Sequence, residues 1–129
     1  MEISGTGFLA TAGYDILNNL TSLSYGPSGQ NRPFTYDALS RLLSESYPES
    51  GTKQYAYDTQ SVGDVYTRTA PLENQTGSAK VVTTYTHDAM HRLTGISYND
   101  GITPSVGLSY DQSTGWSTTL PNAKGRLSW

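Results

Sequence analysis

Apolar and polar residues alternate along this chain with a period of two, in short runs cut by glycine and proline. In L-T-S-L-S-Y, Thr21, Leu23 and Tyr25 alternate with Leu20, Ser22 and Ser24, the signature of a strand with one greasier face. Gly26-Pro27-Ser28-Gly29 then breaks the run with turn chemistry, proline fixing one dihedral and glycine supplying positive φ. The next segment puts Phe34 and Tyr36 on one face, with Thr35 and Asp37 on the other. K-V-V-T-T-Y-T-H-D is the clearest strand, with Val81, Thr83, Tyr85 and His87 on one side. The pattern predicts an all-β fold of consecutive antiparallel hairpins.

The hairpins share a skeleton. Counted from Tyr36 in Y-D-A-L-S-R-L-L-S-E-S-Y-P-E-S-G, an Asp follows at once, Arg-Leu comes five and six residues later, Tyr eleven later and Gly fifteen later. Tyr14-Asp15, Asn19-Leu20, Tyr25 and Gly29 repeat that spacing upstream. His87-Asp88, Arg92-Leu93, Tyr98 and, one residue early, Gly101 repeat it downstream. Tyr57-Asp58 and Tyr110-Asp111 open two longer copies, so the starts fall 22, 21, 30 and 23 residues apart. A fixed period in this range marks a repeat architecture. Residues 1–13 form a lead-in, and 14–129 form the array, with units starting near 14, 36, 57, 87 and 110. The last unit stops at Trp129 where a strand is due, which reads as a truncation.

Within a unit the spacing predicts a strand ending at Tyr-Asp, a tight turn, and a second strand opening at Arg-Leu. The residue four after the first Tyr is Asn18, Ser40 or His91, and Asn and His tolerate the left-handed conformation that a turn requires there. Each Asp is expected to accept hydrogen bonds from turn amides. The Arg that follows is within reach of that Asp. In the third copy Arg68 is the candidate for the displaced Arg, and Pro71–Ser78 reads as a long polar loop.

Composition narrows the function classes. Eight basic against eleven acidic residues and a pI near 5.1 give no basic stripe for a phosphate backbone, which argues against nucleic acid as a partner. The absence of Cys removes disulfides and thiolate chemistry. Neither a targeting signal nor an apolar run of membrane-spanning length is visible. Ten Tyr and thirteen Gly among 129 residues, with 35% hydrophobic content, describe strands and turns whose contact area comes from cross-strand aromatic pairs.

The unit resembles the YD repeat of the rearrangement-hotspot (Rhs) proteins, shared by teneurins and by the shell subunits of insecticidal toxin complexes. The resemblance runs from Tyr14 to Leu127 and is carried by Tyr14-Asp15, Tyr36-Asp37 with Arg41, Tyr57-Asp58, His87-Asp88 with Arg92, and Tyr110-Asp111 with Arg126. The strongest matches are Y-D-A-L-S-R-L (36–42) and H-D-A-M-H-R-L (87–93). Departures are His87 in the Tyr position, Asn19 in the Arg position, and a Gly before Arg at Gly125 alone. The resemblance implies a curved antiparallel sheet, part of a spiral shell that encloses or presents a toxin or effector. It also implies a secreted or cell-surface parent protein, and no catalytic role for the repeats. Expected partners are further YD repeats, or other copies of the chain joined through sheet edges.

Two other readings draw on particular residues. Tyr25, Tyr47 and Tyr98 could present ring faces to sugars, as a carbohydrate-binding or adhesive module. His87, Asp88 and His91 are the cluster closest to a hydrolytic site, although the repeat puts His87 in a strand and His91 in a turn. No metal or cofactor is expected, and the periodic aspartates fit a turn role better than a catalytic pair, which needs no copies.

Overall fold

A computed structural model describes residues 2–5, 8–26, 29–59, 63–72, 79–111, 114–115, 118–119 and 124–128. Pro27 and Ser28, residues 73–78 of the long polar loop, and much of the fifth unit's insertion lie outside that set.

The fold is all-β. Ten strands form one antiparallel sheet in sequence order: β1 (Glu2–Gly5), β2 (Phe8–Tyr14), β3 (Leu20–Tyr25), β4 (Gln30–Tyr36), β5 (Leu42–Tyr47), β6 (Gly51–Tyr57), β7 (Val65–Pro71), β8 (Lys80–His87), β9 (Leu93–Tyr98) and β10 (Val106–Gly107). The fifth unit pairs β11 (Ser109–Tyr110) with β14 (Leu127–Ser128), and its insertion carries a short ladder of β12 (Thr114–Gly115) with β13 (Thr118–Thr119). From β2 to β10 each strand hydrogen-bonds to the strand before it, so the first four corners, at Tyr14, Tyr36, Tyr57 and His87, lie along one side of the sheet.

Every corner from the first to the fourth contains a β-bulge. The register slips at Gly13/Tyr14, Thr35/Tyr36, Ala56/Tyr57 and Thr86/His87. In each case one extra residue stands on the outgoing strand: Thr21, Leu43, Tyr66 or Thr94. A bulge bends its strand and sharpens the local twist. Placed at the same point of each hairpin, it bends the sheet repeatedly from one side.

The two faces differ in chemistry. Cross-strand register sets Leu23 opposite Arg32, Phe34 opposite Glu45, Glu45 opposite Lys53 and Tyr55 opposite Arg68. One face therefore holds the aromatic rings and the strand charges together. On the other, Thr35, Ser44, Gln54, Thr69 and Val82 form an unbroken row across five strands, and Ala56, Thr67, Thr84 and Ser97 form a second. Hydroxyls on this face bond laterally, Thr35 to Ser44 at 2.6 Å and Ser46 to Thr52 at 2.8 Å.

A single sheet has nothing to bury its faces against. Among the described residues only Ala70 and Thr83, both on the aromatic face, are buried, at 9% and 6% exposure. The accessible surface is 9284 Å² for 14.0 kDa, where a compact protein of that mass exposes about 6,700 Å². Side chains here are half-buried by their neighbours on the same sheet, so cross-strand pairs carry the stability.

Turns on the side opposite the corners use glycine where φ is positive. Gly51 (φ 76°) closes the β5–β6 turn, in which the Ser50 amide donates to the Tyr47 carbonyl at 3.3 Å. A Cβ on Gly51 would stand 2.8 Å from Pro71 Cγ, whereas one on Gly26 (φ 71°) would meet nothing within 4 Å. Gly26→Ala is expected to cost about 1 kcal/mol for the left-handed backbone alone, and Gly51→Ala more, because the β7 proline must also move. Urea denaturation of the two variants checks the order.

Candidate functional site

The element that recurs with chemistry attached is the corner. In the first, second and fourth units the Asp amide bonds the carbonyl four residues on, Asp15 to Asn19, Asp37 to Arg41 and Asp88 to Arg92, each at 3.0 Å. The residue between, Asn18, Ser40 or His91, donates its amide back to the Asp carbonyl from a left-handed conformation with φ of 65°, 59° and 61°. This is a three-residue hairpin loop made of a type I turn and an αL residue.

The Asp side chain fills the loop. Asp37 Oδ1 accepts from the amides of Leu39 and Arg41, both at 2.9 Å, and Oδ2 accepts from Arg41 Nε at 2.7 Å. Asp88 repeats this with Met90, Arg92 and the Arg92 Nε at 2.9, 3.0 and 2.7 Å. In the first corner the Asn19 amide group stands in for the guanidinium, donating to Asp15 Oδ2 at 2.9 Å. The turn geometry is therefore kept at both departures from the motif, at Asn19 and next to His87.

The Arg then reaches the next unit. Arg41 lies over the ring of Tyr57 at 4.4 Å, and Tyr57 donates its hydroxyl to the Leu42 carbonyl at 2.9 Å. Arg92 lies over Tyr110 at 4.4 Å, and Tyr110 donates to the Leu93 carbonyl at 2.9 Å. Arg92 also bridges Asp88 and Asp111, each at 2.7 Å. Tyr57 and Tyr110 are thus clamps on the units that precede them. Other corner-to-corner links are Asn19 Nδ2 to Ser40 Oγ at 3.1 Å and His91 Nδ1 with Asp64 Oδ2 at 2.8 Å.

The third corner is built differently. The Asp58 amide bonds the Asp64 carbonyl at 2.9 Å, so Asp64 occupies the backbone position that Arg41 and Arg92 hold elsewhere. Arg68 does not take that place. It sits in the middle of β7, opposite Tyr55 on one side and Thr83 on the other. In the fifth corner the Asp111 amide bonds the Arg126 carbonyl at 3.2 Å across the insertion, and Asp111 itself takes positive φ.

Hydrogen bonding fixes the charge of these corners. The Arg41 and Arg92 amides hold the Asp37 and Asp88 carboxyls below the ordinary carboxylate range, against a smaller opposing effect of burial. The Asn19 side chain does the same for Asp15, and Arg92 for Asp111. Arg92, between two carboxylates, is driven upward.

His87, Asp88 and His91 do not converge. His87 ends β8, Asp88 is committed to its own turn and to Arg92, and His91 faces Asp64. Among the described residues no group of three His, Cys, Asp or Glu is placed to hold a metal ion. Tyr25 and Tyr47 do come together, in a groove on the aromatic face that also involves Phe34, Gln30 and Arg32, whereas Tyr98 lies on β9 outside it. Motif reasoning passed over Arg32, though its alternation with Phe34 and Tyr36 marks the face it occupies. It also passed over Leu17, Leu39 and Met90, which hold the same place in three corners and are all exposed. Compared with known proteins, the chain matches no family model and no curated protein.

Since the folded state holds these carboxyls low, protons bind the unfolded chain more readily. The corners' contribution to stability is complete above the ordinary value of 3.8 and drains away as pH falls through the lower folded values. Asp37→Asn, Asp88→Asn and Asp111→Asn combined should lower stability at neutral pH and flatten the acid limb, read by urea denaturation at pH 7 and stepwise down to pH 2. Tyr57→Phe removes one hydrogen bond to a backbone carbonyl and should cost about 1 kcal/mol. Tyr57→Ala should cost more, because the Arg41 guanidinium loses its ring.

Proposed function

We propose that this chain is a structural, non-catalytic run of YD repeats, a section of an Rhs-type wall that encloses or presents a toxin or effector in a secreted or surface-displayed parent. The observation that carries the reading is the corner-to-corner clamp. The same side chains that shape one turn grip the next unit, which builds a lengthening ribbon and leaves the recurring aspartates engaged by hydrogen bonds. A catalytic carboxylate has to face its substrate, and Asp15, Asp37 and Asp88 face amides of their own turns.

Coverage follows the same logic. The ten-stranded sheet ends at β1 and β10, each with a row of backbone groups facing away from the sheet. Such edges pair with another strand, from a further repeat or from a second copy.

Repeat arrays gain stability from each added neighbour. Appending one more Y-D-A-L-S-R-L unit in register should raise both the urea midpoint and the m-value, and light scattering of the present chain should show mass growing with concentration. A strictly monomeric chain whose stability is indifferent to an added unit would count against the reading.

A further inference from the structure

The groove over β3, β4 and β5 has about 690 Å³ of space, lined by Leu23, Tyr25, Gly26, Gln30, Arg32, Phe34 and Tyr47. Its volume lies in the range of small-molecule sites, and an apolar lining with a few fixed polar groups is how such sites are built. Phe34 and Tyr47 meet edge to face, with centroids 6.2 Å apart.

Arg32 is the charged group on its floor. The guanidinium stands 4.9 Å from the Tyr25 ring centre and 6.0 Å from that of Tyr47, so two aromatic rings hold it in place. Its side chain is 15% exposed, while Glu49, its one ionic partner among the described residues, is 59% exposed. The pairing uses a single bond, Nη2 to Glu49 Oε1 at 2.9 Å, and Nη1 is buried with no hydrogen-bond partner. A donor left unmet away from water costs about 1–3 kcal/mol. Nη1 is closed to a ligand as it is to water, so an acid entering the groove meets the guanidinium at Nη2, where it would take the place of the single Glu49 contact with a charge-assisted bond of the same kind.

We propose that this groove is a binding site for a carboxylate with a flat apolar body, the acid displacing Glu49 from Arg32 and the body lying against Phe34, Tyr25 and Leu23. Glu49 is then a resident competitor. It sits in the β5–β6 turn, outside the lining of the groove, and can turn away into solvent without breaking a strand contact. Lys53, with its amine 5.7 Å from the Tyr47 ring centre, adds positive charge on the same face, although Glu45 lies 3.7 Å from it. This inference stands apart from the structural reading of the repeats, since it needs only the three strands of one unit boundary.

The probe is N-acetyl-L-tryptophan, titrated into the full chain and followed by amide and Arg Nε NMR shifts, with N-acetyl-L-tryptophan amide and methyl glucoside as controls. Saturable shifts confined to Tyr25, Arg32, Phe34 and Tyr47 are expected with the acid, and at least tenfold weaker binding of the amide. Glu49→Gln should tighten binding of the acid several-fold, and Arg32→Gln should abolish it. If Arg32→Gln does not fold, Glu49→Gln decides alone, because a purely structural Glu49 would leave affinity unchanged or weaken it. Equal binding of acid and amide, preference for the glycoside, or no shift up to the solubility of the probe would each overturn the proposal.

Discussion

The structure depends on a carboxylate that is spent locally. In the first, second and fourth units the corner Asp satisfies amides of its own tight turn and, in the second and fourth, orients the Arg that follows. Without that acceptor the loop amides would need water, and the guanidinium would have no fixed direction. With it, the guanidinium is aimed along the sheet at the next Tyr ring. One short hydrogen-bond pattern thus sets both the shape of the turn and the spacing between turns, and backbone pairing does the rest. This substitutes for a core, since the described residues bury only two side chains.

Charge on the aromatic face follows from the same constraint. Rings alone on an open sheet would make a sticky surface. Here Arg32, Lys53, Glu45 and Glu49 lie among them, and the Glu45 carboxylate accepts from both Tyr47 and Tyr55, at 3.1 and 2.8 Å. Burial, and then that carboxylate, push both phenols up. On the opposite face small hydroxyl side chains are common, and cross-strand pairs of them, such as Thr35 with Ser44 and Ser46 with Thr52, bond to each other.

Much of this was legible in the sequence. Alternation in 20–25 and 80–87 gave strands at Leu20–Tyr25 and Lys80–His87, and the αL residues fall at Asn18, Ser40 and His91, where the spacing puts a turn. The bulges were hidden, because one extra residue such as Leu43 looks like ordinary continuation of an apolar run. The third corner was misread at Arg68. Residue type suggested it, but register decides position, and Tyr57 pairs with Val65, which leaves Asp64 at the corner and Arg68 four residues beyond it. The groove was half visible: Tyr25 and Tyr47 could be picked out by period, but only the pairing of Leu23 with Arg32 brings a cation between them.

That third corner has a mechanical meaning. In the second and fourth units the guanidinium grips the ring of the next Tyr, whereas the third corner puts Asp64 in that place and links it to His91, and the connection from β7 to β8 is the longest between neighbouring strands of the main sheet. Tension applied along the ribbon would meet a different tie at this corner, an imidazole–carboxylate contact in place of a guanidinium on a ring. The ribbon is consequently held by more than one kind of link along its length.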